Sequence, residues 1–125
     1  MARRILVVED DEKSRRLLTD VLSWHGYEVA AVENGEQGLA EARARRPDAA
    51  LLDIQLPGLS GFELLGALRA GGHAEAFPVV AVTASVMDLD RRRILAAGFD
   101  AYVGKPVNIR ELIETLQSLL AQVPP

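Results

Sequence analysis

Four short stretches of this chain carry polar residues that could act together. Glu9, Asp10 and Asp11 follow the apolar run at residues 5–8, and Asp53 follows the run at 49–52. Thr83 and Ala84 close a third run that begins at residue 79, and Gly104-Lys105-Pro106 follow residues 101–103. Two carboxylates about 4 Å apart repel by roughly 4 kcal/mol at an effective dielectric near 20. If Glu9, Asp10 and Asp53 converge, a cation belongs among them. Mg2+ suits such a set, because this hard ion takes one or two carboxylates and keeps waters that phosphate oxygens can replace. Lys105 would add positive charge opposite a phosphoryl group. A carboxylate such as Asp53 can itself be the nucleophile, giving an aspartyl phosphate.

Each residue alone has an ordinary explanation. An acid at a strand end often caps the next helix, and for Asp10 by itself that is the stronger reading. A lone lysine in a turn is usually a solvated charge, and a threonine closing a strand follows β-propensity. Only convergence changes the odds, and convergence depends on the elements that carry these residues.

Those elements alternate. Short β-rich runs fall at residues 5–8, 27–32, 49–52, 79–83 and 101–103, with helically spaced stretches between and after them. Leu17, Leu18, Val21 and Leu22 make one apolar face; Ile109, Leu112, Ile113, Leu116, Leu119 and Leu120 make another. Asn34-x-x-Gln37, Ser60-x-x-Glu63, Ser85-x-x-Asp88 and Asn108-x-x-Glu111 have the form of helix-start boxes. Gly26, Gly71 and Gly98 sit where a left-handed residue would end a helix, and Pro47 stops the second helix by breaking its ladder. The pattern is (βα)5, an α/β chain. Near-continuous apolar first, third and fourth strands imply a parallel, doubly wound sheet with helices on both faces. In such sheets ligands bind beyond the carboxyl ends of the strands, where all four polar stretches fall.

The totals set limits. One domain is expected over the 125 residues, with 121–125 as a tail or the start of a linker. A hydrophobic fraction of 49% and a charged fraction of 26% fit a globular domain. Fourteen Lys+Arg against 18 Asp+Glu leave a formal charge of -4, which argues against nucleic acid as a direct partner. No cysteine is present, which excludes thiolate catalysis and fits a reducing cytosol. No apolar stretch approaches membrane-spanning length, and the run at 5–8 is too short for a signal peptide. The expectation is a soluble, cytoplasmic protein with no membrane contact.

Taken in order, residues 5–11, 51–61, 79–84 and 102–106 resemble the receiver family of two-component signalling, across almost the whole chain. The resemblance implies a CheY-like, flavodoxin-like sandwich with strand order 2-1-3-4-5. It implies that Asp53 is the phosphoacceptor, Asp10 a direct Mg2+ ligand, Glu9 an acid acting through metal-bound water, and the Gln55 carbonyl a further ligand. Thr83 then hydrogen-bonds a phosphoryl oxygen beside the Ala84 amide, and Lys105 pairs with the same group, its bond to Pro106 being cis. The phosphodonor would be a sensor histidine kinase or a phosphotransfer protein. The output would pass through the fourth helix, fifth strand and fifth helix to a partner or output domain, with Thr83 and Tyr102 moving together. Gln55 and Ser85 would tune the reset. Such a domain is a signalling module, not an enzyme, assisting only its own phosphorylation and dephosphorylation.

Two rivals share parts of this pattern. An FMN-binding, flavodoxin-like electron carrier would need a hydroxyl- and glycine-rich loop after the first strand, where Glu9-Asp10-Asp11 would repel a flavin phosphate. An Asp-nucleophile phosphohydrolase would carry a second acid two residues after Asp53, where Gln55 stands. Trp24 is expected to pack, Tyr102 to be a half-buried strand aromatic, and His25 and His73 to lie at surfaces or helix ends. Arg91-Arg92-Arg93 reads as a solvated helix face that could meet an acidic partner. A methionine start favours a natural N-terminus, while Pro124-Pro125 leaves open whether the chain stands alone or belongs to a longer regulator.

Overall fold

Side chains alternate across a strand, so one strand can feed two cores at once. The computed structural model describes residues 2–70, 77–84 and 88–122. Among these, strands β1 (Arg4–Val8), β2 (Glu28–Val32), β3 (Ala49–Asp53), β4 (Val79–Thr83) and β5 (Ala101–Gly104) alternate with helices. The helices are α1 (Glu12–Trp24), α2 (Gly35–Ala44), α3 (Gly61–Ala70), α4 (Asp88–Ala97) and α5 (Ile109–Leu120). Every strand pair is parallel and the order is β2-β1-β3-β4-β5, as the sequence pattern and the resemblance imply.

Ile5, Val7, Ala49, Leu51, Val80 and Val82 point into one core with Leu18 and Leu22 of α1 and Leu112, Ile113, Leu116 and Leu120 of α5. The intervening Leu6, Val8, Ala50, Leu52, Val79 and Ala81 enter a second core with Leu64, Leu65 and Leu68 of α3 and Ile94 of α4. With both faces covered, β1, β3 and β4 have no wet side, which is why their sequences are continuously apolar. β2 lies at an edge and is only partly buried, which explains its mixed composition.

The helix starts carry their caps. Ser60 Oγ accepts the Glu63 amide at 3.2 Å, and Glu63 Oε1 accepts the Ser60 amide at 3.3 Å, a complete reciprocal box. Asn34 and Asn108 accept from the amides of Gln37 and Glu111 at 2.9 and 3.0 Å. Gly26 and Gly98 take the left-handed conformation after α1 and α4, and α2 ends at Ala44, ahead of Pro47. Gly71, His73, Ser85 with its Asp88 box, and Val123-Pro124-Pro125 fall on or reach into segments outside the described residues.

Three expectations change. Leu17 is 51% exposed, because only Leu18 and Leu22, with Val21 partly, turn towards the sheet. Trp24 does not pack: it is 87% exposed at the last residue of α1, about 200° around the helix from buried Leu22. Arg4, which apolar periodicity passed over, belongs to β1 and is buried, pairing its guanidinium with Glu28 of β2 and Glu41 of α2. Leu116→Ala should therefore cost about 2–5 kcal/mol in urea unfolding. Leu17→Ala should stay within about 0.5 kcal/mol, and equal losses would contradict this packing.

Candidate functional site

At the carboxyl end of the sheet each strand hands its last polar residue to the same small volume. The Glu9 amide still bonds Val32 O at 3.1 Å, so Glu9 continues the β1 ladder and its side chain stays buried. Asp11, not Asp10, is the N-cap of α1, accepting the Ser14 amide on Oδ2 at 2.8 Å. This division of labour leaves the exposed carboxylate of Asp10 without a hydrogen-bond or ion-pair partner among the described residues.

Asp53 ends β3 and is 5% exposed. The chain leaves it through residues 54–60 and returns at Gly61, whose amide bonds Ile54 O at 3.1 Å. A Cβ at Gly61 would lie 2.6 Å from the Asp53 carbonyl oxygen and 2.7 Å from Ile54 Cα. Only glycine lets the first turn of α3 close this tightly over the loop that holds Asp53.

From the other side come β4 and β5. Asp53 pairs in register with Val82, so Thr83, buried, stands one step further out with Ala84 exposed beyond it. Thr83 faces Gly104, and the Lys105 amide bonds Thr83 O at 2.8 Å, extending the ladder to the lysine. The Lys105–Pro106 peptide is cis, as the resemblance implies. Lys105 Nζ then reaches Asp53 Oδ2 at 2.9 Å and Glu9 Oε1 at 2.7 Å. The Gln55 amide donates to Asp53 Oδ1 at 2.9 Å.

Carboxylate oxygens of Glu9, Asp10 and Asp53 all lie within 4.8 Å of one another. One lysine cannot balance three acids so placed. Glu9 Oε1 is buried without an aligned hydrogen-bond partner, since its contact with Lys105 is an ion pair only. A cluster of three carboxylates with one shared ammonium offers the oxygen donors that a hard divalent cation takes.

The protons divide unequally. Desolvation, then the hydrogen bond to Asp53, pushes the Glu9 carboxyl up to about 7 against the pull of Lys105. Burial also works to raise Asp53, but hydrogen bonds from Glu9, Lys105 and the Gln55 amide outweigh it and hold that carboxyl below its usual range. Burial disfavours the Lys105 ammonium, and its two carboxylate partners more than compensate, so its pKa is raised. These opposed shifts favour an ionised Asp53 and a charged Lys105, and make Glu9 the acid that takes up a proton most readily.

Glu9, Asp10, Asp53, Gln55, Thr83, Ala84 and Lys105 therefore lie at one edge of the sheet, with Glu9, Asp53 and Lys105 in direct contact, while Ser85 falls outside the described residues. What sequence reasoning did not find was the role of Gly61, or that Asp11 releases Asp10 by capping α1. The Asp11-x-x-Ser14 spacing could have signalled the second.

Comparisons with known proteins agree. A family model described as response regulator receiver domain matches residues 5–117. The chain belongs to the response regulator receiver family. As a receiver it has the phosphoacceptor role of two-component signalling. It is 40% identical over 120 residues to the polar-differentiation response regulator DivK of Brucella anthropi, covering 96% of this chain and 98% of that one. The receiver domain of a Pseudomonas aeruginosa sensor histidine kinase, solved with a magnesium ion coordinated in its active-site cleft, superposes with a TM-score of 0.90. It is 33% identical and covers 98% of this chain and 100% of that one. A putative response regulator from Chloroflexus aurantiacus matches at a TM-score of 0.92 and 30% identity over 98% of this chain and 100% of that one. The flavodoxin-like electron carrier is not favoured. Among the described residues no helix is long and apolar enough to cross a membrane.

Two outcomes follow for this receiver. Below pH about 7 a divalent ion must displace the Glu9 proton, so magnesium uptake should release protons and tighten as pH rises, levelling above that value. Calorimetry in buffers of different ionisation enthalpy reads this, and Glu9→Gln should flatten it. Gly61→Ala should shift the Asp53 loop and weaken magnesium uptake at least about tenfold. An unchanged magnesium isotherm in folded Gly61→Ala protein would refute the close-approach argument.

Proposed function

We propose that Asp53 accepts a phosphoryl group from the phosphohistidine of a sensor histidine kinase or phosphotransfer protein, or from a small acyl phosphate, in the cytoplasm. The observation that carries this reading is a buried, ionised carboxylate held 2.9 Å from an ammonium, beside two further acids.

A carboxylate oxygen of Asp53 attacks phosphorus in line. The new O–P bond forms as the P–N bond breaks, and the bonding pair returns to the imidazole nitrogen of the donor. Mg2+, held by Glu9, Asp10, Asp53 and the Gln55 carbonyl, would neutralise charge on the phosphoryl oxygens; the magnesium in the related Pseudomonas receiver supports this choice of ion. Lys105 offsets the charge that remains, while Thr83 Oγ and the Ala84 amide donate to phosphoryl oxygens. Positioning supplies much of the rate. The acyl phosphate is hydrolysed to reset the signal, with Gln55 beside it to tune that step and Ser85 in the same role. The chain thus works as a signalling domain that turns over no substrate beyond its own phosphoryl group, and we assign residues 1–125 to one such domain, with 121–125 as its tail.

Output follows from Thr83 drawing towards the phosphoryl group and Tyr102 turning inward, which reshapes the surface of α4, β5 and α5. Tyr102 is half-buried against the second core, with the Arg91 guanidinium 5.7 Å from its ring centre. Phosphorylation can shift this equilibrium only by its differential interaction with the two forms.

Acetyl phosphate with magnesium chloride should add the mass of one phosphoryl group to the intact protein, and Asp53→Asn should take up none. Lys105→Ala should slow uptake about tenfold or more. Thr83→Ala should still be phosphorylated but lose the Tyr102 fluorescence change. An unaltered wild-type mass under conditions that keep acyl phosphates intact would end this reading.

A further inference from the structure

Arg15, in the first turns of α1, reaches back over the acids that precede the helix. Its main-chain amide bonds Asp11 O at 2.9 Å, the first rung of the helix ladder. Its Nη1 donates to Glu9 O at 3.0 Å and to Asp10 O at 3.4 Å. One half-buried residue therefore takes three successive carbonyls, those of Glu9, Asp10 and Asp11. Helical side chains lean towards the N-terminus of their helix, so a long one near its start reaches back this way. Arg15 makes no ion pair among the described residues, so its guanidinium is engaged by backbone oxygens and neutralises no acid.

Those bonds fix Asp10 from both sides. The peptide between Glu9 and Asp10 is held through the Glu9 carbonyl. The peptide between Asp10 and Asp11 is held twice, through the Asp10 carbonyl and through the Asp11 amide, which donates to Glu9 Oε2 at 3.3 Å. A residue has two soft backbone angles, and pinning the peptide planes on either side of it sets both. In the conformation so set, the exposed Asp10 carboxylate comes within 4.8 Å of those of Glu9 and Asp53.

We infer that Arg15 is a positioning residue for the divalent cation, whose bonds to the Glu9 and Asp10 carbonyls hold Asp10 ready to ligate. The inference rests on the acidic cluster taking up such a cation, and it assigns Arg15 a part that its charge alone would oppose. A fixed positive charge beside a cation site repels the incoming ion, so removing it strengthens binding by Coulomb's law. Losing the two hydrogen bonds frees Asp10, which must then be ordered when the ion binds, and binding weakens. The two effects have opposite signs, so the direction of change decides between them. Arg16, the next residue of α1, is exposed, makes no ion pair or hydrogen bond among the described residues, and supplies the charge-only comparison.

The test compares the full chain with its Arg15→Met and Arg16→Met variants, methionine being an unbranched helix former like arginine. Magnesium chloride is the probe, titrated calorimetrically at pH about 8, above the Glu9 value. The carbonyl-carbon resonances of Glu9 and Asp10 and the amide relaxation of Asp10 and Asp11 are followed without metal. Arg15→Met should move both carbonyl resonances, loosen the two amides and weaken magnesium binding about threefold to tenfold. Its urea midpoint should match that of Arg16→Met, which should leave the carbonyls in place and bind magnesium at least as tightly as wild type. Magnesium binding in Arg15→Met that is unchanged or tighter, carbonyl resonances that do not move, or equal weakening in both variants would each overturn the inference. A wild-type chain that takes up no magnesium would defeat the metal site and the inference with it. A wild type that binds beside an indifferent Arg15→Met would defeat the inference alone.

Discussion

The structure depends on a charge imbalance that the fold itself creates. Lys105 reaches from the end of β5 to Asp53 at the end of β3 and Glu9 at the end of β1, and a third acid, Asp10, stands beside them. Desolvation makes the charges of Glu9, Asp53 and Lys105 expensive, and their mutual contacts recover only part of the cost. The opposed shifts, Glu9 raised and Asp53 lowered, leave Glu9 as the acid whose proton a divalent cation would displace. Such a site is stable enough to persist and unsatisfied enough to bind.

The parallel sheet is what permits this concentration of charge. Backbone ladders run past the formal strand ends, from Glu9 to Val32 and from Lys105 to Thr83, so the polar side chains are placed by main-chain hydrogen bonds and not by loops. Asp11 caps α1, and Gly61 brings α3 down on the Asp53 carbonyl, fixing the two loops that complete the rim. The large apolar side chains of β1, β3 and β4 then lock the frame from both faces. Rigid elements below and few mobile groups above are what positioning a phosphoryl transfer requires.

The two helices beside β5 are anchored differently. Where α5 buries four residues in its core, α4 buries Ile94 among its described side chains and sets Arg91 and Arg93 over the rings of Tyr102 and Phe62. Exposed contacts of this kind contribute about 0.5–1 kcal/mol each, less than a buried leucine.

Much of this was legible in the sequence. Apolar runs followed by Glu9, Asp53, Thr83 and Lys105 gave the (βα)5 order, the two-faced sheet and the acids at its rim, because strand and helix periods are local properties of side-chain order. Trp24 and Leu17 went the other way: both have the composition of core residues, and only their rotation about α1 decides that they face solvent. Arg4 precedes the apolar run at 5–8 and is buried, because Glu28 and Glu41 come to it from distant parts of the chain. The capping of α1 by Asp11, the closeness of Gly61 to Asp53, and the sharing of one ammonium between Glu9 and Asp53 are likewise settled by tertiary structure. Spacing along a chain sets which face a residue takes within its own element, but distances between elements arise only when the whole sheet closes.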